Sequence, residues 1–423
     1  MKYRKLICVA ALILYFGVLT AVASTTRYVN GVTGNNSNNC KSPTTACKTI
    51  KHAVSLAASG DAIMVAAATY TENLTINITV TVIGAGASTT IIDGGASNTV
   101  VRISNSTAHV TVSKLTIRNG KAPSEGGCPF LPSCFTSGGG INNSGTLTLT
   151  SSTVSGNLAP IPCNFNGHFY ICAGTASGGG IYNSGALTIS NSIISGNLAG
   201  SYCTGRCFAF GGGIYNRGTL LMIQNSTFTS NGAGVRRCPG PLTCWVGGGA
   251  VDSVAGTVTL NNSTVEGNNT TCSGMCGTPG GAIANGSNLA MNNSAVSGNP
   301  AGGISNSGTA ILQNSIVANN SGKDCGGTIT SLGYNLSSDG SCKFNGPGDM
   351  NNTNPLLGPL KNNGGPTQTQ ALLPGSPAID AGDPSGCRDS KGNLLKTDQR
   401  GMPRPDKEDK TGCDIGAYEL QGD

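Results

Sequence analysis

Apolar and polar residues alternate in short runs through the middle of the chain, as in Leu147-Thr148-Leu149, Leu187-Thr188-Ile189 and Val258-Thr259-Leu260. Each run is rich in β-branched residues and bounded by Gly and Asn, the pattern of a short strand with one buried face. The runs sit inside a longer phrase: Gly-Gly-Gly-Ile, a polar step, the alternation, Asn-Ser-Thr, then Ser-Gly-Asn. It occupies 138–157 and 178–197, with looser copies at 211–231, 247–268, 280–299 and 302–320.

The repeat sets the architecture. Ile141, Ile181 and Ile214 are 40 and 33 residues apart, whereas Ile283 and Ile304 are 21 apart. The short spacing is the bare unit, and the longer ones carry insertions between Ser-Gly-Asn and the next Gly-rich phrase. Insertions at one fixed phase map to one face of a stacked array. Strands repeated every 21 residues predict an all-β chain wound as a right-handed parallel β-helix, a single-stranded solenoid rising about 4.8 Å per turn. A propeller would need longer and more equal repeats.

Weaker copies upstream, such as Val110-Thr111-Val112 and Val80-Thr81-Val82, carry the coil back to Asp61. Ile50, Ala53, Val54 and Ala57 recur at helical spacing, so a helix over 49–58 is expected to cap the open first turn. Lys2, Arg4 and Lys5 precede an apolar run, with Ala21-Val22-Ala23 as a cleavage site, which reads as a secretory signal over 1–23. The expected layout is that signal, an N-terminal cap over 24–60, the coil over 61–345 and a C-terminal module over 346–423. No later stretch is apolar enough to span a bilayer.

Cys8 lies in the signal, which leaves 16 of the 17 cysteines. In order they fall as neighbours: Cys40 and Cys47, Cys128 and Cys134, Cys163 and Cys172, Cys203 and Cys207. Then follow Cys238 and Cys244, Cys272 and Cys276, Cys325 and Cys342, Cys387 and Cys413. The short gap between Ile283 and Ile304 has none, so the cysteines go with the insertions. One disulfide per insertion, each stabilising by roughly 2–4 kcal/mol, implies an oxidising compartment. That points to a secreted, extracellular or cell-surface protein. With only His52, His109 and His168 available, neither a metal nor another cofactor is expected.

Charged residues are 10% of the chain, and the net charge of +6 includes Lys2, Arg4 and Lys5, so nucleic acid is not expected as a partner. Asn157, Asn197, Asn231, Asn268 and Asn299 recur once per turn, as do Asn191, Asn225, Asn262, Asn293 and Asn314. Stacked amides form hydrogen-bonded ladders, and Asn tolerates the left-handed backbone of tight corners. The Gly-rich phrases lack the Lys-Ser/Thr and helix of a phosphate loop, so close backbone packing is expected there.

Aromatic residues gather in or beside the Cys-bearing insertions. Small cores packed on the disulfides are one use for them, and a ligand face is the other. The candidate ligand-binding residues are Phe165, Tyr170, Phe208, Phe210, Arg236, Arg237 and Trp245. Between 120 and 320 the acids are only Glu125, Asp252 and Glu266. Glycoside hydrolysis generally needs two carboxyl groups across the bond, so no catalytic residue is assigned. Acids are denser in the tail, among Lys, Arg, Gly and Pro, as in a salt-bridged or solvated cap.

That tail reads Asn354-Pro355-Leu356-Leu357-Gly358-Pro359-Leu360, then Leu372-Leu373-Pro374-Gly375-Ser376-Pro377-Ala378-Ile379-Asp380-Ala381-Gly382. It continues as Thr397-Asp398-Gln399-Arg400-Gly401 and Cys413-Asp414-Ile415-Gly416-Ala417-Tyr418-Glu419. It resembles the C-terminal signature of bacterial choice-of-anchor Q domain proteins, and Gly280-Gly281-Ala282-Ile283 is similar to the repeats of polymorphic outer membrane proteins. The resemblance implies a secreted or surface-attached β-helix without an assigned activity. With no sorting motif after Glu419, release or non-covalent retention is expected. The expected function is binding or adhesion toward a polysaccharide or a surface protein. A polysaccharide lyase or hydrolase of pectate-lyase-like fold, and a structural envelope component, are the alternatives.

Overall fold

The computed structural model describes residues 24–125, 134–165, 170–236, 244–273, 280–407 and 412–422. The expected signal, Cys128, Cys238, Cys276 and Arg237 lie outside these residues. Three parallel sheets run along a rod, here termed A, B and C, with 11, 10 and 9 strands. One turn takes Ile181–Asn183 in sheet C, Ala186–Ser190 in sheet A and Ile193–Ser195 in sheet B. The next turn lies in register upon it, Ile181 beside Ile214 and Ile194 beside Phe228. The chain is a right-handed parallel β-helix.

Alternation along each strand sends every second side chain inward, where like residues stack between turns. Leu187 lies between Leu147 and Leu221, and Ile189 between Leu149 and Ile223. All six are essentially unexposed, and each such side chain contributes roughly 1.5–3 kcal/mol by burial. The Gly-rich phrases make the bends before sheet C. Gly178 has a left-handed backbone (φ 67°). A Cβ on Gly179 would lie 2.4 Å from the Leu198 carbonyl, so only glycine fits.

At the N-terminal end the helix Ile50–Leu56 is capped by Thr49, whose hydroxyl accepts from the His52 amide. The Glu72 carboxylate accepts the Ile50 and Lys51 amides at 2.9 and 2.7 Å, so the helix start is fully satisfied. Ile50 and Ala53 close the core. Thr26–Val29, within the expected N-terminal cap, pairs in parallel with Asp61–Val65 and is the first strand of sheet A. Pairing satisfies the donors and acceptors that a bare first strand would leave open.

The described parts of the insertions add two further arrays, the parallel sheet D (four strands, from Leu158–Ala159 to Asn269–Cys272) and sheet E (five strands, from Ser124–Glu125 to Cys244–Val246), whose first strand, Ser124–Glu125, runs antiparallel to Phe135–Ser137 while the others are parallel. Together these form a ridge with its own core of Ala176, Ala209, Val235, Cys172, Cys203 and Cys207 among others. Disulfides join Cys40–Cys47, Cys163–Cys172, Cys203–Cys207, Cys325–Cys342 and Cys387–Cys413. Cys134, Cys244 and Cys272 are also disulfide-bonded. Among the described residues no helix is long and apolar enough to cross a membrane.

The tail doubles back along the rod as well as following its last turn. Val296 and Val317 face the main core, so Ala295, Ile316 and Ala318 face outward from sheet B. There they pack with Leu372, Ala378 and Ile415. Farther back, the Thr227 hydroxyl donates to the Gln368 carbonyl at 2.6 Å, and the Asn262 amide to the Thr397 carbonyl at 2.8 Å. The ion pairs Arg400–Asp398 and Arg404–Glu419, each 2.7 Å, are buried under this strap.

Candidate ligand-binding face

The junction of sheets E and C gathers aromatic side chains on the outer surface of the rod. In Cys207–Phe210 the alternation turns Cys207 and Ala209 into the ridge core and leaves Phe208 and Phe210 on the outer face. In Cys244–Val246 it does the same for Trp245, which lies beside Phe208 in register and is 43% exposed. The chain then bends through Gly211-Gly212-Gly213 into Ile214–Asn216, with Ile214 inward and Tyr215 outward. The bend sets the Phe210 ring 6.1 Å from that of Tyr215, which lies 5.6 Å from that of Tyr182 one turn back. Phe208 and Phe210 are 6.1 Å apart. Neighbouring ring planes differ by only 20–31°, so the four rings make one wall. Arg206 lies over Phe208 at 5.3 Å, and Arg217 donates to the Tyr182 hydroxyl at 3.2 Å.

Asp252 follows Tyr215 in the same column of sheet C. It is only 6% exposed. Its Oδ2 accepts the Gly248 amide at 3.1 Å. A Cβ on Gly247 would lie 1.6 Å from that oxygen, so the carboxyl occupies space that glycine leaves free. Burial pushes its pKa up to about 7, against the opposing pull of the Gly248 N–H. Tyr215 is pushed up to about 12, by burial first and then by Asp252.

The other acids do not join Asp252. Glu266 points outward from sheet B and accepts from the Thr229 hydroxyl at 3.4 Å. Glu125 pairs with Arg102 at 2.8 Å and sits four strands from Cys244–Val246 in sheet E, about 19 Å along the rod. The carboxyl separations of glycosidases are roughly 5–9.5 Å. The three acids therefore do not form that arrangement.

Of the candidate ligand residues, Phe208, Phe210 and Trp245 come together. Arg236 is exposed on sheet D, across the ridge from them, because Ala233 and Val235 turn inward there. Phe165 and Tyr170 are register partners in the antiparallel pairing of Cys163–Phe165 with Tyr170–Cys172, a two-stranded sheet separate from the wall strands. Tyr182 and Tyr215 were not anticipated. Both directly follow the Ile of the Gly-Gly-Gly-Ile phrase, and since that Ile faces inward, period two sends the next residue outward. Cys40, Cys47 and His52 bring their donor atoms within 4.8 Å of one another, but the two sulfurs are bonded together, so no thiolate is offered.

No family model and no curated protein matches this chain. Several solved structures are similar to it. Pectate lyase Pel9A aligns with 94% of this chain and 98% of its own, at 14% identity and a TM-score of 0.47. The pectin methylesterase PemA from Erwinia chrysanthemi aligns over 73% and 83%, at 14% identity and a TM-score of 0.35. The GH136 lacto-N-biosidase from Eubacterium ramulus aligns over 74% and 64%, at 11% identity and a TM-score of 0.32.

Proposed function

We propose that this is a secreted or cell-surface protein that holds a polysaccharide on the aromatic wall without cleaving it. The observation that carries the proposal is the set of near-parallel rings of Tyr182, Tyr215, Phe210 and Phe208 with the exposed Trp245 beside them. Rings on a rigid sheet are preorganised, so little side-chain entropy is lost when a sugar packs on them. The disulfides support an oxidising, extracellular setting, and the tail's resemblance to choice-of-anchor Q proteins supports a surface role. The cleaving alternative is favoured by one observation, the carboxyl of Asp252, whose raised pKa suits proton transfer near neutral pH.

One experiment separates the readings. The oxidised protein is incubated with insoluble polysaccharides, pelleted with them, and the supernatant sugars are sized. Retention without new oligosaccharides, lost in Phe208→Ala and Trp245→Ala, is the expected result. Shortened or unsaturated products that vanish in Asp252→Asn would replace this reading with the enzymatic one.

A further inference from the structure

We propose that a second ligand site lies on the outward face of sheet B, beneath the tail loop at 362–368, and that it takes a neutral, extended oligosaccharide. This proposal does not depend on the aromatic wall, which faces away from a different sheet.

Two cavities of about 460 and 340 Å³ adjoin here, within the range of small-ligand sites. They share Thr153, Ile193 and Pro366, so they form one groove that passes the loop. The groove reaches from Ser88, beside the strand Thr90–Asp93, to Thr229 in the strand Thr227–Thr229. That is four inter-strand steps, about 19 Å along the rod, which suits a short extended chain.

The lining chemistry selects the ligand. The sheet supplies the hydroxyls of Thr153, Ser195 and Thr229, and the loop supplies the amides of Asn362 and Gln368. Such groups both donate and accept, as sugar hydroxyls do. Ile193 and Pro366 add apolar patches for the C–H faces of the rings. Among the described residues no charged side chain lines either cavity, so a phosphate or uronate would find no guanidinium or ammonium partner there. An extended peptide needs an open strand edge, and Thr153–Ser155 and Ile193–Ser195 are already paired on both sides. Farther along the rod the tail itself covers the same face, with Thr264 bonded to Gln399 and Ala295 packed against the strap. The groove therefore exists only where the strap ends.

The test is calorimetric titration of the full oxidised chain with neutral β-linked tetrasaccharides of glucose, xylose, mannose and galactose, beside tetragalacturonate. At least one neutral tetrasaccharide is expected to bind, with affinity reduced about tenfold or more in Thr153→Arg and Ser195→Arg. Asn362→Ala, on the loop, reports on the same groove without altering the strands. All titrations use the Phe208→Ala background, so that the groove is read without the aromatic wall. Failure of every neutral tetrasaccharide to bind at millimolar concentration overturns the proposal. So does preference for tetragalacturonate in that background, or binding that none of the three groove variants weakens.

Discussion

The side-chain amide of Asn157 donates to the side-chain carbonyl of Asn197 at 2.9 Å across 40 residues of sequence. The same bond links Asn197 to Asn231 and Asn231 to Asn268 at 2.9 Å, Asn268 to Asn299 at 3.2 Å and Asn299 to Asn320 at 2.8 Å. Asn157, Asn197, Asn231, Asn268 and Asn299 are at most 1% exposed. Each amide along this column satisfies its neighbour, and no water is needed to complete the set.

Asn231→Ala is expected to destabilise the protein by roughly 3 kcal/mol, because it strands several buried partners at once. The Ile194 carbonyl and Asn268 Oδ1 lose a donor, while the Asn197 amide and backbone N–H lose an acceptor. Asn231→Asp is expected to cost more, since it places an acceptor opposite Asn268 Oδ1. The exposed Asn288→Ala is the control, expected to change stability by no more than about 0.5 kcal/mol. Denaturant midpoints compare the three.

Asp252 makes stability depend on pH. Its folded pKa, about 7, is above the ordinary carboxyl value of 3.8. Between these values the folded chain keeps a proton that the unfolded chain releases. Native stability therefore falls as pH rises from about 4 to about 7, and levels off above that. Asp252→Asn keeps the acceptor for Gly248 and removes the ionisation. It is expected to match the parent near pH 4 and to exceed it by roughly 2–4 kcal/mol at pH 8. Unfolding curves at pH 4, 6 and 8 settle this, and an unchanged pH slope would count against it.

Arg404 and Glu419 form an ion pair 2.7 Å apart with both side chains fully buried. Arg404 also donates to Asn262 Oδ1 of the coil at 3.0 Å, so the pair pins the strap. Removing one member leaves a buried charge alone. Arg404→Met and Glu419→Leu are each expected to cost roughly 3–5 kcal/mol, and the double variant less than either. Limited proteolysis of the tail, alongside thermal unfolding, reads the effect.

Cys387–Cys413 closes a loop of 26 residues within the strap. Replacing both by Ser is expected to cost roughly 3 kcal/mol, more than the same change at Cys203–Cys207, which spans four. The first pair of changes is expected to expose the tail to protease while leaving the ridge intact. Equal sensitivity of tail and ridge would argue against this division.

Much of this architecture was legible because it is periodic. Leu147, Leu187 and Leu221 stack because an equivalent residue returns once per turn, and a self-similar sequence displays its own neighbours. Five disulfides were legible for a related reason: each joins cysteines that are consecutive in the chain, so proximity in sequence stands in for proximity in space. The Asn157 column followed the same logic. Asn191, Asn225, Asn262, Asn293 and Asn314 show its limit. All five hold the left-handed corner, with φ from 46° to 50°. Yet Asn262 and Asn293 donate to Thr397 and Arg388 of the strap, and only Asn314 and Asn293 join side chain to side chain, at 3.3 Å. The Asn143–Asn183–Asn216 ladder, at 2.7 Å per step, went unread because Asn at a turn looks the same whether it caps its own backbone or its neighbour's.

Local repetition in the chain was thus enough to specify the coil and its inward columns, since each depends on a contact one turn away. The strap along sheet B joins residues as distant as Thr227 and Gln399, 172 positions apart, and has no counterpart in the period. The aromatic wall likewise needs the bend between sheets E and C, which sets Phe210 beside Tyr215. The groove under Pro366 needs the strap to stop at one particular turn. Such features arise from non-repeating surfaces meeting in three dimensions, and that meeting leaves no periodic mark on the chain.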